Sequence, residues 1–315
     1  MATSTKFNPK LQTNNDTGFG TNANNYGGRF VNKDGSFNLR REGIPFFERF
    51  SIYQRMLSLP RWKFFALILL FYIGINVLYT SGYIVLGLHG LEGLEGTTQW
   101  ERIKEVFYFS TQTFTTVGYG RINPTNDATS LLASVESLNG LLTFAIVTGL
   151  IYGRFAKPKS HLRFSHQAVI GPYRDVTGLM FRVVPYKDNH VLTNVEVKVS
   201  LALQVPENGA RVNKFYNLPL ERDKLDSLPM NWTIVHPITE ESPLYGFSNA
   251  DFEASDAELY VLITGFDDVY SSNVLQRTSY TYREITMNAR FAPMYRESED
   301  GQTTILEIHK LHDLI

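Results

Sequence analysis

The sequence predicts a chain of two parts: a small α-helical part that crosses a membrane and a larger all-β part that stays in water. Three observations predict it. Two apolar runs, residues 64–86 and about 131–155, are each long enough to span a bilayer as a helix. From about residue 160 the apolar residues recur with period two, as in strands with one buried face. The mean hydropathy of −0.16 requires most of the mass to face water. A length of 315 residues fits two domains of roughly 150 residues each.

Residues 1–42 are rich in Asn, Thr and Gly, and this composition predicts a flexible tail. Tyr26, Phe30 and Phe37 are the residues in it that can tack it onto another domain. Residues 43–60 contain an amphipathic stretch. Phe46, Phe47, Phe50, Tyr53 and Leu57 share one helical face, and Glu48, Arg49, Ser51, Arg55 and Ser58 the other. Placed just before an apolar run, it predicts a helix lying in the membrane interface. The membrane domain is expected over 61–158, with Arg61, Trp62 and Lys63 as anchors at the start of the first span. The second span carries Glu136 and Asn139, so part of its surface must face protein or water rather than lipid.

Between the spans, residues 98–114 read as a short helix whose apolar part dips back toward the membrane. Re-entrant backbone is tolerated there only when buried in protein or lining a water-filled cavity. Thr116-Val117-Gly118-Tyr119-Gly120 follows at once. Glycines at 118 and 120 permit backbone angles that a Cβ would penalise, so successive carbonyls can point at one axis and replace a cation's water shell. Thr116 can add a hydroxyl ligand at the inner end. The preceding helix directs the partial negative charge of its C-terminus at the same place.

Basic residues set the topology. Arg40, Arg41, Arg49, Arg55, Arg61 and Lys63 precede the first span, and Arg154, Lys157, Lys159 and Arg163 follow the second. The connecting loop has few, so both termini are expected in the cytoplasm. From 159 to 315 the chain predicts a cytoplasmic β-sandwich. In its clearest strand Val191, Val195, Val197, Val199, Leu201, Leu203 and Val205 alternate with polar residues. Further strands are expected within 178–186, 231–238, 257–266, 274–282 and 285–293.

Composition excludes several functions. There is no cysteine, hence no disulfide or thiolate chemistry. Net charge is −1, which gives no basic field for nucleic acid. The polar first 40 residues do not read as a signal peptide. The seven histidines show no HExxH spacing, and neither a nucleophile elbow nor a Gly-rich dinucleotide loop appears, so the chain is not expected to be an enzyme and needs no cofactor.

The order of elements resembles an inward-rectifier potassium channel, most closely the prokaryotic branch. The resemblance covers roughly residues 43–300. It rests on the 116–120 filter, the Arg61-Trp62 step, the Phe155-Ala156-Lys157-Pro158-Lys159 exit, and the stretches 164–170, 178–183, 241–245 and 277–280. It implies a homotetramer in the cell's inner (plasma) membrane, with K+ as permeant ion and an immunoglobulin-like cytoplasmic sandwich. The ring closure that a single filter loop needs agrees with several copies.

The resemblance also assigns site residues. Gln112 stands behind the filter where eukaryotic members usually have Glu, and Arg121 near the basic partner of that Glu, so the usual ion pair is absent. Glu136 either supports the pore helix or bonds to a neighbouring helix. Gly140, Phe144, Thr148 and Tyr152 fall near one face of the second span, Tyr152 at the constriction of the inner gate. For Gly140 a bend and close helix packing are equal alternatives, and the aromatics can also serve helix packing. Phe144 replaces the acid that strong rectifiers use for polyamines, which implies weak polyamine block. Lys214, Asp267 and Asp268 fall near vestibule positions, with a solvated acidic turn as the alternative at Asp267. Arg61, Lys63, Arg154, Lys157 and Lys159 form a basic collar where the family binds phosphoinositide-like anionic lipid, or where the collar simply anchors the topology.

Overall fold

The computed structural model describes residues 28–43, 45, 51–188, 190–207 and 210–315. The chain divides into two compact units, Glu42–Lys157 and Met1–Arg41 with Pro158–Ile315. Tyr26 and residues 46–50 of the expected interfacial helix lie outside the described residues.

The first unit is helical. Helix α1 (Ile52–Ser58) is capped by the Ser51 hydroxyl, which accepts from the Gln54 N–H. Helix α2 (Arg61–Leu86) starts after Pro60, whose carbonyl accepts from the Phe64 N–H at 3.0 Å. At about 1.5 Å per residue its 26 residues run about 39 Å, more than a hydrocarbon core. Helix α3 (Gln99–Phe114) opens on a capping box: Thr98 accepts from the Glu101 N–H and Glu101 returns to the Thr98 N–H. Helix α4 (Asp127–Phe155) is capped by Asn126 and ends with Arg154 in its last turn, where the dipole favours a cation. A two-residue ladder pairs β1 (Leu91–Glu92) with β2 (Asn123–Pro124). Tyr79, Tyr83, Val106, Phe109 and Phe114 form the core where α2, α3 and α4 meet. Much of the outward surface of α2 and α4 is exposed and apolar, including Leu69, Leu70, Leu138 and Leu142, as lipid-facing helices require.

The second unit is a β-sandwich. One sheet has the order β11 (Ser272–Thr281), β10 (Glu258–Asp267), β6 (Leu192–Glu207), β7 (Ala210–Asn217), with β8 (Lys224–Leu228) also on β6. The other runs β12 (Ile285–Met287), β4 (Ala168–Tyr173), β5 (Val176–Pro185), β3 (Leu162–Phe164), with β9 (Trp232–Ile238) on β5. The core lies between them, built by Val195, Val197, Val199, Leu201 and Leu203 facing Leu179, Phe181, Val183 and Ile234. One expected position differs. Val191 is exposed, and Leu192 is buried instead. The cause is an irregularity: Asn194 has φ 48° and the β6–β10 register shifts between Thr264 and Phe266, so the alternation skips one residue. The predicted 285–293 strand is shorter, ending at Met287. A short hairpin, β13 (Tyr295–Glu297) with β14 (Thr304–Leu306), follows.

Residues 28–41, placed by the sequence in a flexible tail, are fastened to this sandwich. Val31 is buried and bridges to Phe37. Its carbonyl accepts from the Ser279 hydroxyl at 2.5 Å, and the Lys33 carbonyl from Thr278 at 3.1 Å. Gly35, at φ 82°, lies so close to the Arg277 carbonyl that a Cβ would collide with it. Arg29 pairs with Glu284, and the Lys33 ammonium sits 3.5 Å from the Tyr280 ring centre and 3.7 Å from Glu284. Phe30 and Phe37 meet edge to face, as part of the expected aromatic tack. Burial, aided by Arg29, outweighs the pull of Glu284 and brings the Lys33 ammonium down to about 8.

Between about pH 8 and the ordinary lysine value of 10.5 the docked strap therefore holds fewer protons than a released one, and docking strengthens as pH rises through that window. Melting curves of the natural chain and Lys33→Met, taken across that window, should diverge, with the natural chain gaining relative stability toward the alkaline side. Parallel curves would remove this role from Lys33.

Candidate functional site: the 116–120 loop and its supports

Helix α3 ends where the loop begins, and its last carbonyls receive the loop's donors. The N–H of Thr115 donates to Thr111 at 3.1 Å and that of Thr116 to Thr113 at 3.0 Å. Val117 and Gly118 both donate to the Gln112 carbonyl, at 2.9 and 3.3 Å. Residues 115–120 are exposed. Backbone φ is positive at Thr116 (58°), Gly118 (54°) and Gly120 (82°) but not at Val117 or Tyr119. Such alternation turns successive carbonyls to one side of the strand and N–H groups to the other. For Thr116, β-branched, the conformation costs on the order of 1–3 kcal/mol. The arrangement presents backbone oxygens and is suited to replacing a cation's hydration shell.

Gly140 is not on an open face of α4. It is buried against the end of α3, where a Cβ would overlap the Phe114 carbonyl. Close packing is what this glycine permits. One turn earlier, Ser137 donates to the Thr113 carbonyl at 3.3 Å. Glu136 is fully buried. It accepts from Ser110 of α3 at 2.5 Å and from Tyr83 of α2 at 2.7 Å, and Ser110 also lies 3.1 Å from Asn76. Glu136 thus ties α4 both to α3 and to the neighbouring α2. Asn139 donates to Tyr79. Gln112 contributes its backbone carbonyl to the loop.

Outside the loop, Asn123 donates to the Gly120 carbonyl at 2.8 Å. Arg121 reaches Glu105 at 3.0 Å and Glu95 at 3.7 Å. Sequence reasoning missed these acids. Glu105 lies seven residues before Gln112, two helical turns away on one face, and that spacing was the available signal.

Phe144, Thr148 and Tyr152 are exposed on α4 at successive four-residue steps, a single helical stripe. The basic residues divide. Arg61, Lys63, Lys157 and Lys159 are exposed. Arg154, expected with the lipid-binding set, is committed instead to the end of α1: its guanidinium donates to the carbonyls of Met56, Leu57 and Leu59 and lies 5.0 Å from the Phe64 ring centre. The vestibule acids divide too. Asp267 is fully buried and holds its own turn, accepting from the N–H of Val269 (2.9 Å), of Tyr270 (3.1 Å) and from His190 (2.9 Å). Burial pushes its carboxyl up, but His190 and the two N–H groups together hold it below the usual range. It therefore does not face a vestibule. Asp268 is exposed, and Lys214 pairs with Glu207 at 3.3 Å.

Residues 162–314 match the profile of the inward rectifier potassium channel C-terminal domain, and residues 65–157 match an ion channel profile. The chain is 29% identical to the inward rectifier potassium channel Kirbac3.1 of Paramagnetospirillum magnetotacticum, over 91% of this chain and 95% of that one. It is 29% identical to the human ATP-sensitive inward rectifier potassium channel 12, over 81% of this chain and 63% of that protein. With human inward rectifier potassium channel 4 the identity is 30%, over 66% and 49%. The chain thus spans less than two thirds of these human relatives. A solved structure of the Bacillus subtilis sporulation control protein Spo0M superposes with a TM-score of 0.24 at 8% identity, over 42% of this chain and 51% of that one, too little to carry any argument. Two membrane-length apolar helices, a β-sandwich and both family matches agree: the chain belongs to the inward-rectifier potassium channel family, whose members are membrane ion channels and not enzymes.

Proposed function

We propose that the chain forms a homotetrameric, potassium-selective pore in the plasma membrane, with Thr116–Gly120 of four copies as its filter. The observation that carries this is the alternation of φ along Thr116, Gly118 and Gly120, with the loop's first N–H groups satisfied by the end of α3. Carbonyls in such a strand can replace water around K+ only when several copies close a ring. Glu136, through Ser110, and the Gln112 carbonyl support the filter from behind. Conduction is passive. Phe144, Thr148 and Tyr152 line the inner pore, and Tyr152 closes it by steric contact and dewetting. Phe144 offers no charge to a polyamine, so rectification by polyamines is weak. Asp268 alone of the acidic pair faces the vestibule water, and Lys214 opposes it in sign.

Anionic lipid, phosphoinositide-like, meets Arg61 and Lys63, with Lys157 and Lys159 as further cations. The first turn of α2 carries these two cations and no acid, so the helix dipole and the side chains favour an anion at one end. Both termini lie in the cytoplasm, and the sandwich couples lipid binding to the gate.

Purified protein in liposomes is expected to pass K+ in preference to Na+, with barium block; equal fluxes of the two ions would refute the filter assignment. Adding phosphoinositide tests the lipid site, and Arg61→Gln with Lys63→Gln should blunt whichever response it gives. Phe144→Glu is expected to tighten internal spermine block by about tenfold or more, since a charge in a low-dielectric pore is weakly screened. Gly140→Ala should cost about 1–3 kcal/mol of stability and impair selective flux, because the methyl must displace the Phe114 carbonyl. A thermal melt and flux equal to the natural protein would show the contact to be slack.

A further inference from the structure

We propose that Glu105 is a positioning residue for the filter: through Arg121 it fixes the outer end of the ion pathway to the loop before the pore helix. This rests on the filter assignment above. Arg121 is bonded directly to Gly120, so its placement constrains the last filter peptide. One oxygen of Glu105 accepts from the backbone N–H groups of Glu95 and Gly96, each at 3.0 Å. The other accepts from the Arg121 guanidinium at 3.0 Å. A single carboxylate therefore joins the loop 93–96, the helix α3 and the residue after the filter.

The surroundings reinforce the join. Arg102 donates from Nε to the Gly96 carbonyl at 2.9 Å, which holds the loop from its other side. Gly93, at φ 89°, lies against the Arg121 backbone so closely that a Cβ would collide with its carbonyl. Glu95 adds a second, longer contact to Arg121 at 3.7 Å. The Glu105 side chain is 16% exposed, against 52% for Arg121, so the carboxylate is the fixed partner and the guanidinium the one held. The Gly96 N–H, then that of Glu95 and the guanidinium, keep the Glu105 carboxyl below its usual range against the opposing effect of burial. The carboxylate stays charged when the outside is mildly acid.

An exposed ion pair of this kind contributes little to stability, which separates positioning from folding in the test. Glu105→Gln, Arg121→Gln and the double variant would be reconstituted in liposomes. The readouts are the K+ to Na+ flux ratio, barium block and the mass and melting of the assembled protein. Each single change is expected to lower the flux ratio by about tenfold with assembly intact, and the double to be no worse than either single, as coupled neighbours behave. Singles with the natural ratio, or effects that add in the double, would overturn the proposal while leaving the filter assignment standing. Natural protein that does not prefer K+ would instead refute the filter assignment itself. Should Glu105→Gln fail to assemble, Arg121→Gln decides: it keeps both loop N–H bonds to Glu105, and an assembled, fully selective Arg121→Gln channel would end the positioning role.

Discussion

In the proposed channel the membrane unit depends on one constraint: a backbone that gives its carbonyls to an ion must satisfy its N–H groups elsewhere. Helix α3 meets that need by stopping at Phe114. Its final carbonyls, unpaired within any helix, take the donors of residues 115–118, and the Gln112 carbonyl takes two. The helix end is then the fixed object that the other helices must hold. Gly140 lets α4 lie directly on it, Ser137 bonds its Thr113 carbonyl, and Glu136 grips Ser110 one turn further back. The strain at Thr116 persists because these contacts over-determine the loop.

The supports differ with depth. Glu136 is fully buried and its partners are hydroxyls from two other helices. Hydroxyls satisfy its oxygens without bringing a charged partner out of water, which would add its own desolvation cost. The ionic contacts stand at the ends of the unit, where water reaches. Glu105 and Arg121 meet beside the loop after β1, and Arg154 closes the last carbonyls of α1. Arg suits that second task because its planar fork serves several carbonyls while the same guanidinium lies over the Phe64 ring.

Much of this was legible in the sequence, for identifiable reasons. Unbroken apolar runs, a period-two pattern and two glycines at 118 and 120 each reflect a local rule, so spans and sandwich could be read without knowing any contact, and the loop could be marked as a candidate filter. What was not legible depended on partners distant in sequence. The swap of Val191 for Leu192 follows from a register shift against β10, invisible in one strand. Asp267 looked like a vestibule acid, but its neighbours in space, His190 and its own turn, bury it. Arg154 looked like its basic neighbours, yet carbonyls of α1, about a hundred residues earlier, occupy it. The composition of residues 28–41 resembles a loose tail, and only Ser279, Tyr280 and Glu284 explain why it is not one.

Covalent connectivity places the remaining basic residues in two mechanical settings. Arg61 and Lys63 ride on the first turn of α2, a rigid element. Lys157 and Lys159 ride on the short stretch between Phe155, where α4 ends, and Ser160, which is buried in the sandwich unit and bonded to Gln276. His161 extends that anchorage, packed on the rings of His190 and Tyr186. The slack between the last residue of α4 and Ser160 is five peptide units, about 17 Å at full stretch. In the proposed channel an anion that gathers Lys157 and Lys159 toward Arg61 and Lys63 takes up slack in that linker. In that proposal the charge that meets lipid and the segment that leads to the gate are the same few residues.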